Sequence, residues 1–199
     1  MKNRFSLVIA TIAAVAIMTS CAKVPQEALD AAKAAITTAQ TGQADIYFPA
    51  EFAALNDQLT VINQDIETQK SKTAKDFKVV KTNAEAIALQ AGELAGKVEA
   101  KKAEVKAEAE TMMAGATTLL DEAKALLLKA PKGKEGKAVL DEMKNELAAV
   151  ETSLTDAKGL FDGGANYVVV VDKVKAATET LNGIIGELKA AIVKAGGKV

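Results

Sequence analysis

The most reactive side chain in this sequence is the thiol of Cys21, the only cysteine among 199 residues. A basic start with Lys2 and Arg4 precedes it, followed by an apolar stretch from Phe5 to Met18 and then small residues. This order is typical of a secretory signal peptide, and about 14 mostly apolar positions are too few to span a bilayer as a permanent helix. We therefore predict that residues 1–20 are a signal peptide and that Cys21 lies directly after it.

The stretch from Ile17 to Cys21 resembles the lipobox of bacterial lipoproteins, with Met18 where that family usually has Leu. In that family the cysteine thiol is diacylated, the preceding peptide is removed and the new amino terminus is acylated. The resemblance implies lipidation of Cys21 and a lipidated tether over residues 21–24. Ala22-Lys23 lacks the Asp associated with inner-membrane retention in enteric lipoproteins, so the expected location is the outer membrane, facing the periplasm. The alternatives are a secreted protein with a free thiol, or an uncleaved anchor.

The composition of the remaining chain narrows the possible functions. It has no His and no Trp, so the commonest general base and the commonest transition-metal ligand are missing. Without residues 1–20, 23 lysines face 26 acidic residues, a formal charge of about −3, and Arg4 is the only arginine. Nucleic-acid binding is not expected without arginine or a basic excess. We predict no catalytic residues, no cofactor, no metal and no disulfide.

The acidic residues offer two sites for chemistry, each weighed against an ordinary solvated helix surface. Glu104 and Glu108 have the spacing to bridge a hard cation, but neighbouring lysines form attractive pairs with such residues along a helix. Asp121-Glu122 and Asp141-Glu142 are paired carboxylates, yet both pairs lie at polar phases of their helices. A general acid needs an apolar pocket that raises its pKa. The surface interpretation is favoured for all of them.

Three further features have both an ordinary and a functional interpretation. Met112 lies on an apolar seam, which favours a gap-filling core residue over a copper ligand. The loop from Lys132 to Lys137 contains lysine and glycine but lacks the Gly-Lys-Ser/Thr ending of a phosphate-binding loop, so a solvated turn is expected. Lys198 is penultimate, whereas covalent wall attachment in the best-known small lipoprotein family uses a terminal lysine. A peptidoglycan link is therefore a minor alternative.

Apolar residues at alternating three- and four-residue steps predict amphipathic helices along nearly the whole mature chain. The first is predicted to begin at Pro25 and to end at Thr41-Gly42, where the glycine can adopt the left-handed conformation. Thr73–Asp76 has the pattern of a capping box, so a later helix is predicted to begin near residue 74. Val168–Val171 has strand propensity, but we prefer a helix because the apolar seam continues through it and no second strand is evident.

The longest apolar seam runs from Phe77 to Leu126. One apolar position of the seam is missing at Lys101-Lys102, and the pattern then resumes in the same phase. This predicts one uninterrupted helix from about Ala74 to Lys129, roughly 84 Å long. Residues 131–136 form a predicted turn, and Asp162-Gly163-Gly164 separates the last two helices. The expected fold is all-α: an elongated helical bundle in which two three-helix bundles, residues 25–100 and 101–199, share this central helix.

Three aromatic residues, Tyr47, Phe77 and Tyr167, each lie near a predicted helix start. We expect them to close bundle ends as hydrophobic staples, the alternative being a ligand-binding aromatic set. The segment Tyr47–Glu51, which opens a helix after an alanine-rich one, resembles alanine-rich bacterial lipoproteins with a helical domain of unknown function. That resemblance covers about residues 21–100, implies an envelope-located helical protein and supplies no active site.

The leading functional hypothesis is a non-enzymatic lipoprotein with a structural or adaptor role. It is held in the membrane by acyl chains on Cys21, since two or more chains give stable anchoring, and it binds an envelope protein as partner. The alternative is a lipid- or hydrophobe-binding protein whose bundle opens to expose its apolar seams. An enzyme is the third hypothesis, and the residue inventory disfavours it.

Overall fold

A computed structural model describes residues 23–131, 137–164 and 166–198. Within these ranges the secondary structure is helical throughout: α1 (Gln26–Thr41), α2 (Ala44–Tyr47), α3 (Pro49–Lys70), α4 (Lys78–Lys129), α5 (Lys137–Asp162) and α6 (Tyr167–Lys194). The prediction of an all-α helical bundle is confirmed. Val168–Val171 lies inside α6, so the helical interpretation of that segment is also confirmed. Cys21 lies outside the described residues.

Helix α4 is continuous over 52 residues, through Lys101 and Lys102. At 1.5 Å per residue it is about 78 Å long. Its buried residues keep one phase on both sides of the missing apolar position, from Val98 to Val105, while the two lysines are half-buried. Long lysine stems can cover apolar surface and keep the charge in water, so the missing position interrupts the seam without ending the helix.

The first bundle consists of α1 and α3 on the N-terminal half of α4. Val24 and Pro25, at the start of α1, share a cleft with Lys81 and Glu85 of α4, so α1 starts beside the start of α4 and runs parallel to it. Helix α3 runs antiparallel to α4. The first turn of α3 shares a hollow with Lys97 of α4, and a later turn of α3 shares a hollow with Asn83, which comes earlier in α4.

The second bundle consists of α5 and α6 on the C-terminal half of α4. Two ion pairs join α4 to α6: Glu108 to Lys175 at 3.7 Å and Glu122 to Lys189 at 2.8 Å. Both pairs join residues 67 positions apart, so α6 runs parallel to α4 in constant register. Lys124 of α4 pairs with Glu151 of α5 at 2.9 Å.

The two bundles meet at a joint near Lys101–Lys106 of α4, where α2 lies close to the start of α6. One core cluster contains Tyr47 from α2 and Tyr167 from α6, together with Val98 and Val105 from α4. The apolar core therefore continues across residues 100 and 101. The domain boundary at that point stays a prediction.

Helix α1 ends at Thr41 with Gly42 directly after it, as predicted, but the left-handed residue is not the glycine, and the predicted start of α4 is wrong. Gly42 has φ −73° and ψ −1°, an ordinary right-handed conformation, and Gln43 is the left-handed residue with φ 74°. The left-handed conformation of Gln43 allows α2 to begin at the next residue, Ala44, which is buried. Helix α4 begins at Lys78, because the Asp76 carboxylate accepts a hydrogen bond from the Lys78 backbone N–H at 2.9 Å; Thr73 caps nothing.

Candidate protein-binding groove

Glu104 and Glu108, the two carboxylates with the spacing to bridge a cation, lie on the surface and face lysines. Glu104 pairs with Lys101 at 2.9 Å, and Glu108 pairs with Lys175 at 3.7 Å. Within residues 23–131, 137–164 and 166–198, no group of three or more Asp, Glu or Cys side chains is placed to hold a metal ion. These carboxylates join helices α4 and α6 and balance charge along α4.

The paired carboxylates near the C-terminal end of α4 also lie outside the core. Glu122 pairs with Lys189 at 2.8 Å, and Asp141 accepts a hydrogen bond from Lys144 at 2.8 Å. The Lys144 ammonium beside Asp141 holds the pKa of that carboxyl below its ordinary value. A general acid requires a raised pKa, whereas this environment lowers the pKa of Asp141.

The methionines and Lys198 lie at ordinary structural positions. Met112 and Met113 are half-buried against the larger core cluster, where flexible thioethers fill gaps between alanines. Lys198 is exposed beyond the end of α6. Residues 132–136 of the lysine–glycine loop lie outside the described residues.

The three aromatic residues near helix starts are buried in one core cluster, and their role as hydrophobic staples stays a prediction. At the joint the rings of Phe161 and Tyr167 lie 5.5 Å apart, and Lys106 lies over both rings at 5.7 and 5.9 Å. Such a cation over two aromatic faces is stabilising. The Tyr47 hydroxyl is buried without a hydrogen-bond partner.

The surface feature most suited to binding is a groove between α3 and α4. It consists of two adjoining hollows that share Gln58 of α3 and Gln90 of α4. Buried apolar side chains from both helices form its floor: Leu55, Ile62, Ile87 and Leu94. From Glu51 to Val61 the groove follows α3 for about 15 Å, or three helical turns. That length suits one short helix laid along it.

The rim of this groove has an acidic excess. Glu51, Asp57 and Glu93 line it, and Lys97 is the one basic residue in its lining. Val61 adds an exposed apolar side chain. An apolar floor with an acidic rim matches an amphipathic helix with apolar residues on one face and lysine or arginine at its margins. We call this surface, from Glu51 to Val61 and from Asn83 to Lys97, the α3/α4 groove.

Sequence reasoning did not find the α3/α4 groove, because its two walls are 20 or more positions apart and their register depends on the packing of α3. The one available signal was Val61, an apolar residue outside the seam of its helix. No described helix is both long and apolar enough to cross a membrane. The chain matches no protein-family model, and no curated protein or solved structure is significantly similar to it.

Proposed function

We propose that this protein is a lipid-anchored, non-enzymatic adaptor of the bacterial cell envelope, facing the periplasm from the outer membrane. Acyl chains on Cys21 hold the N-terminal end, and the bundle extends away from the membrane and binds a partner protein. The observation that carries the proposal is the unbroken α4. It makes a rod about 78 Å long, with α1, and hence the tether, beginning at one end.

The chemistry of the surface supports an adaptor over an enzyme. In the described ranges no charged side chain is buried, and the ion pairs lie between exposed or half-buried partners on helix surfaces. Catalytic acids and bases need desolvated, shifted pKa values, which exposed ion pairs do not provide. The α3/α4 groove, with its apolar floor and acidic rim, is the surface that we assign to the partner.

Replacement of Cys21 by Ala tests the anchor. The wild-type chain is expected in the membrane fraction after cell lysis, and mass spectrometry of its N-terminal peptide is expected to show acyl chains on Cys21. The Cys21→Ala variant is expected to lose both the acyl mass and the cleavage after residue 20. An unmodified Cys21 thiol in the native protein would contradict the anchor, whatever the fractionation shows.

Site-specific photocrosslinking in cells tests the partner surface. A photoreactive amino acid is placed at Gln58 or Gln90 in the α3/α4 groove, and at Gln40, an exposed glutamine of α1, as the matched control. Both groove positions are expected to trap the same protein, and Glu93→Lys is expected to weaken that product several-fold by reversing a rim charge. Equal trapping from Gln40, or no product from the groove, would reject this surface.

A further inference from the structure

The end of the rod farthest from the start of α1 exposes one large apolar side chain on each of its three helices. Leu128 of α4 is 79% exposed, Val193 of α6 is 61% exposed and Val139 of α5 is 49% exposed. Leu128 and Val193 each lie one residue before the end of their helix, and Val139 lies two residues after the start of α5, so all three are at the same end of the second bundle. Single exposed apolar side chains are ordinary on a protein surface, whereas here three of them lie on three helices at one end of a bundle.

The same end is basic. Lys129, Lys137, Lys194 and Lys198 are exposed there, at the end of α4, the start of α5 and the end of α6. The Asp141 carboxylate nearby is already paired with a lysine of its own helix, Lys144, at 2.8 Å. Glu142 is exposed there as well, but the four lysines outnumber it, so the charge around the three apolar side chains is positive on balance.

The shaft just behind this end has the opposite charge balance. Its lysines form ion pairs with acidic residues: Lys124 with Glu151 at 2.9 Å and Lys189 with Glu122 at 2.8 Å. Further exposed acidic residues lie along the same stretch: Asp121, Glu146, Asp156, Glu179 and Glu187. An anionic surface would consequently attract the end of the rod and repel its side.

We propose that this end, defined by Leu128, Val139 and Val193 with their surrounding lysines and called the distal tip, binds the surface of an anionic lipid bilayer end-on. Lysines near such a surface are attracted to anionic headgroups, and apolar side chains gain by entering the interface. The three apolar residues lie on three helices around one core, and a fluid interface can adapt to all of them at once. The bundle stays closed in this mode of binding.

The proposal does not depend on lipidation of Cys21. If both the anchor and the tip operate, the rod links two lipid surfaces. If the anchor fails and the tip binds, the protein is a reversible peripheral membrane protein. The two proposals therefore fail separately.

Vesicle co-sedimentation of the unlipidated chain from Ala22 onward, which retains all six helices, tests the distal tip. Binding is expected to vesicles of phosphatidylcholine mixed with phosphatidylglycerol. It is expected to fall at least tenfold on phosphatidylcholine alone, and to weaken as salt screens the lysines. The triple variant Leu128→Ser, Val139→Ser, Val193→Ser is expected to bind anionic vesicles about tenfold more weakly.

The matched control is a second triple variant, Val79→Ser, Leu89→Ser, Val169→Ser, which removes three exposed apolar side chains that lie away from the distal tip and do not line the α3/α4 groove. It is expected to bind like the parent chain, and circular dichroism checks that both triple variants stay helical. Equal loss in the two variants, equal binding to neutral vesicles or no binding at all would overturn the proposal. Loss of helicity on lipid would also overturn it, in favour of bundle opening. So would tip-dependent self-association in sedimentation velocity without vesicle binding.

Discussion

At the scale of single residues, the buried hydroxyl of Tyr47 is the clearest departure from an apolar core. It lies in the core cluster at the joint and has no hydrogen-bond partner. A buried donor without a partner costs about 1–3 kcal/mol, because its hydrogen bonds to water are lost and not replaced. The ring itself contributes favourably by filling the joint. The side chain is therefore better suited to this position without its oxygen.

Tyr47→Phe is expected to raise the free energy of unfolding by about 1 kcal/mol, since it removes the unpartnered oxygen and keeps the ring. Chemical denaturation followed by circular dichroism measures the change. Tyr167→Phe is the matched control, because the Tyr167 hydroxyl is not left buried without a partner, and it should change stability by less than about 0.5 kcal/mol. Destabilisation by Tyr47→Phe would show that the hydroxyl has a partner in solution.

The turn after α1 gives a second prediction at this scale. Gln43 has φ 74°, which costs a non-glycine residue about 1 kcal/mol, whereas Gly42 has an ordinary φ of −73°. Gln43→Gly is expected to stabilise the fold by roughly 0.5 kcal/mol after the added chain entropy of glycine is deducted.

Gly42→Ala is the paired variant. A Cβ there would lie 3.4 Å from the Ala39 carbonyl oxygen, an ordinary contact, so a gain of about 0.4–1 kcal/mol is expected. Thermal unfolding of both variants measures the two changes. If Gly42→Ala instead lowers stability by about 1 kcal/mol, Gly42 is the left-handed residue, as its sequence position suggests.

At the scale of helices, the close approach of α4 to its neighbours depends on alanine. The positions on its seam that are occupied by alanine are fully or almost fully buried: Ala84, Ala91, Ala109, Ala116 and Ala123. Small residues allow helix axes to come close and leave no room for a larger side chain. Alanine is consequently a packing requirement along this seam.

Ala91→Leu is expected to lower the free energy of unfolding by about 1–3 kcal/mol, because the added atoms must displace α1 or α3. Ala114→Leu is the control on an exposed face of the same helix, where leucine is expected to cost less than about 0.5 kcal/mol. Urea denaturation of the two variants gives the difference. Equal stability of both would mean that the seam is loosely packed.

The helices themselves could be predicted from sequence because apolar periodicity reports burial directly. The unshifted phase across Lys101-Lys102 predicted that α4 is continuous, and α4 is continuous over this point. Helix ends depend on single backbone conformations and side-chain hydrogen bonds, so the end of α1 at Gly42 was predicted without its conformation, and the capping role of Thr73 was predicted wrongly. The short helix α2 was not predicted, because four residues hold no periodicity. The α3/α4 groove depends on tertiary register and carries almost no local signal.

At the scale of the whole molecule, the architecture is a rod three helices thick, in which two bundles meet at one joint. Helix α1 ends and α6 begins near the same level of α4, both parallel to it, and α3 and α5 supply the antiparallel third helix on either side. The chain crosses the joint as an unbroken helix only in α4. The distance between the tether and the distal tip is therefore set by the stiffness of α4 at Lys101–Lys106, where the core continues without a gap.

The most direct measurement of this central claim is the distance between two spin labels on α4, at the exposed positions Val79 and Leu128, in a chain with Cys21 replaced. An unbroken helix separates these Cα atoms by about 74 Å. Pulsed dipolar spectroscopy is expected to give one narrow distribution near that value, and labels at Val79 and Ala114 are expected to give about 53 Å. A broad distribution centred well below 74 Å for the long pair would show that α4 bends or breaks at the joint, and would contradict the rod.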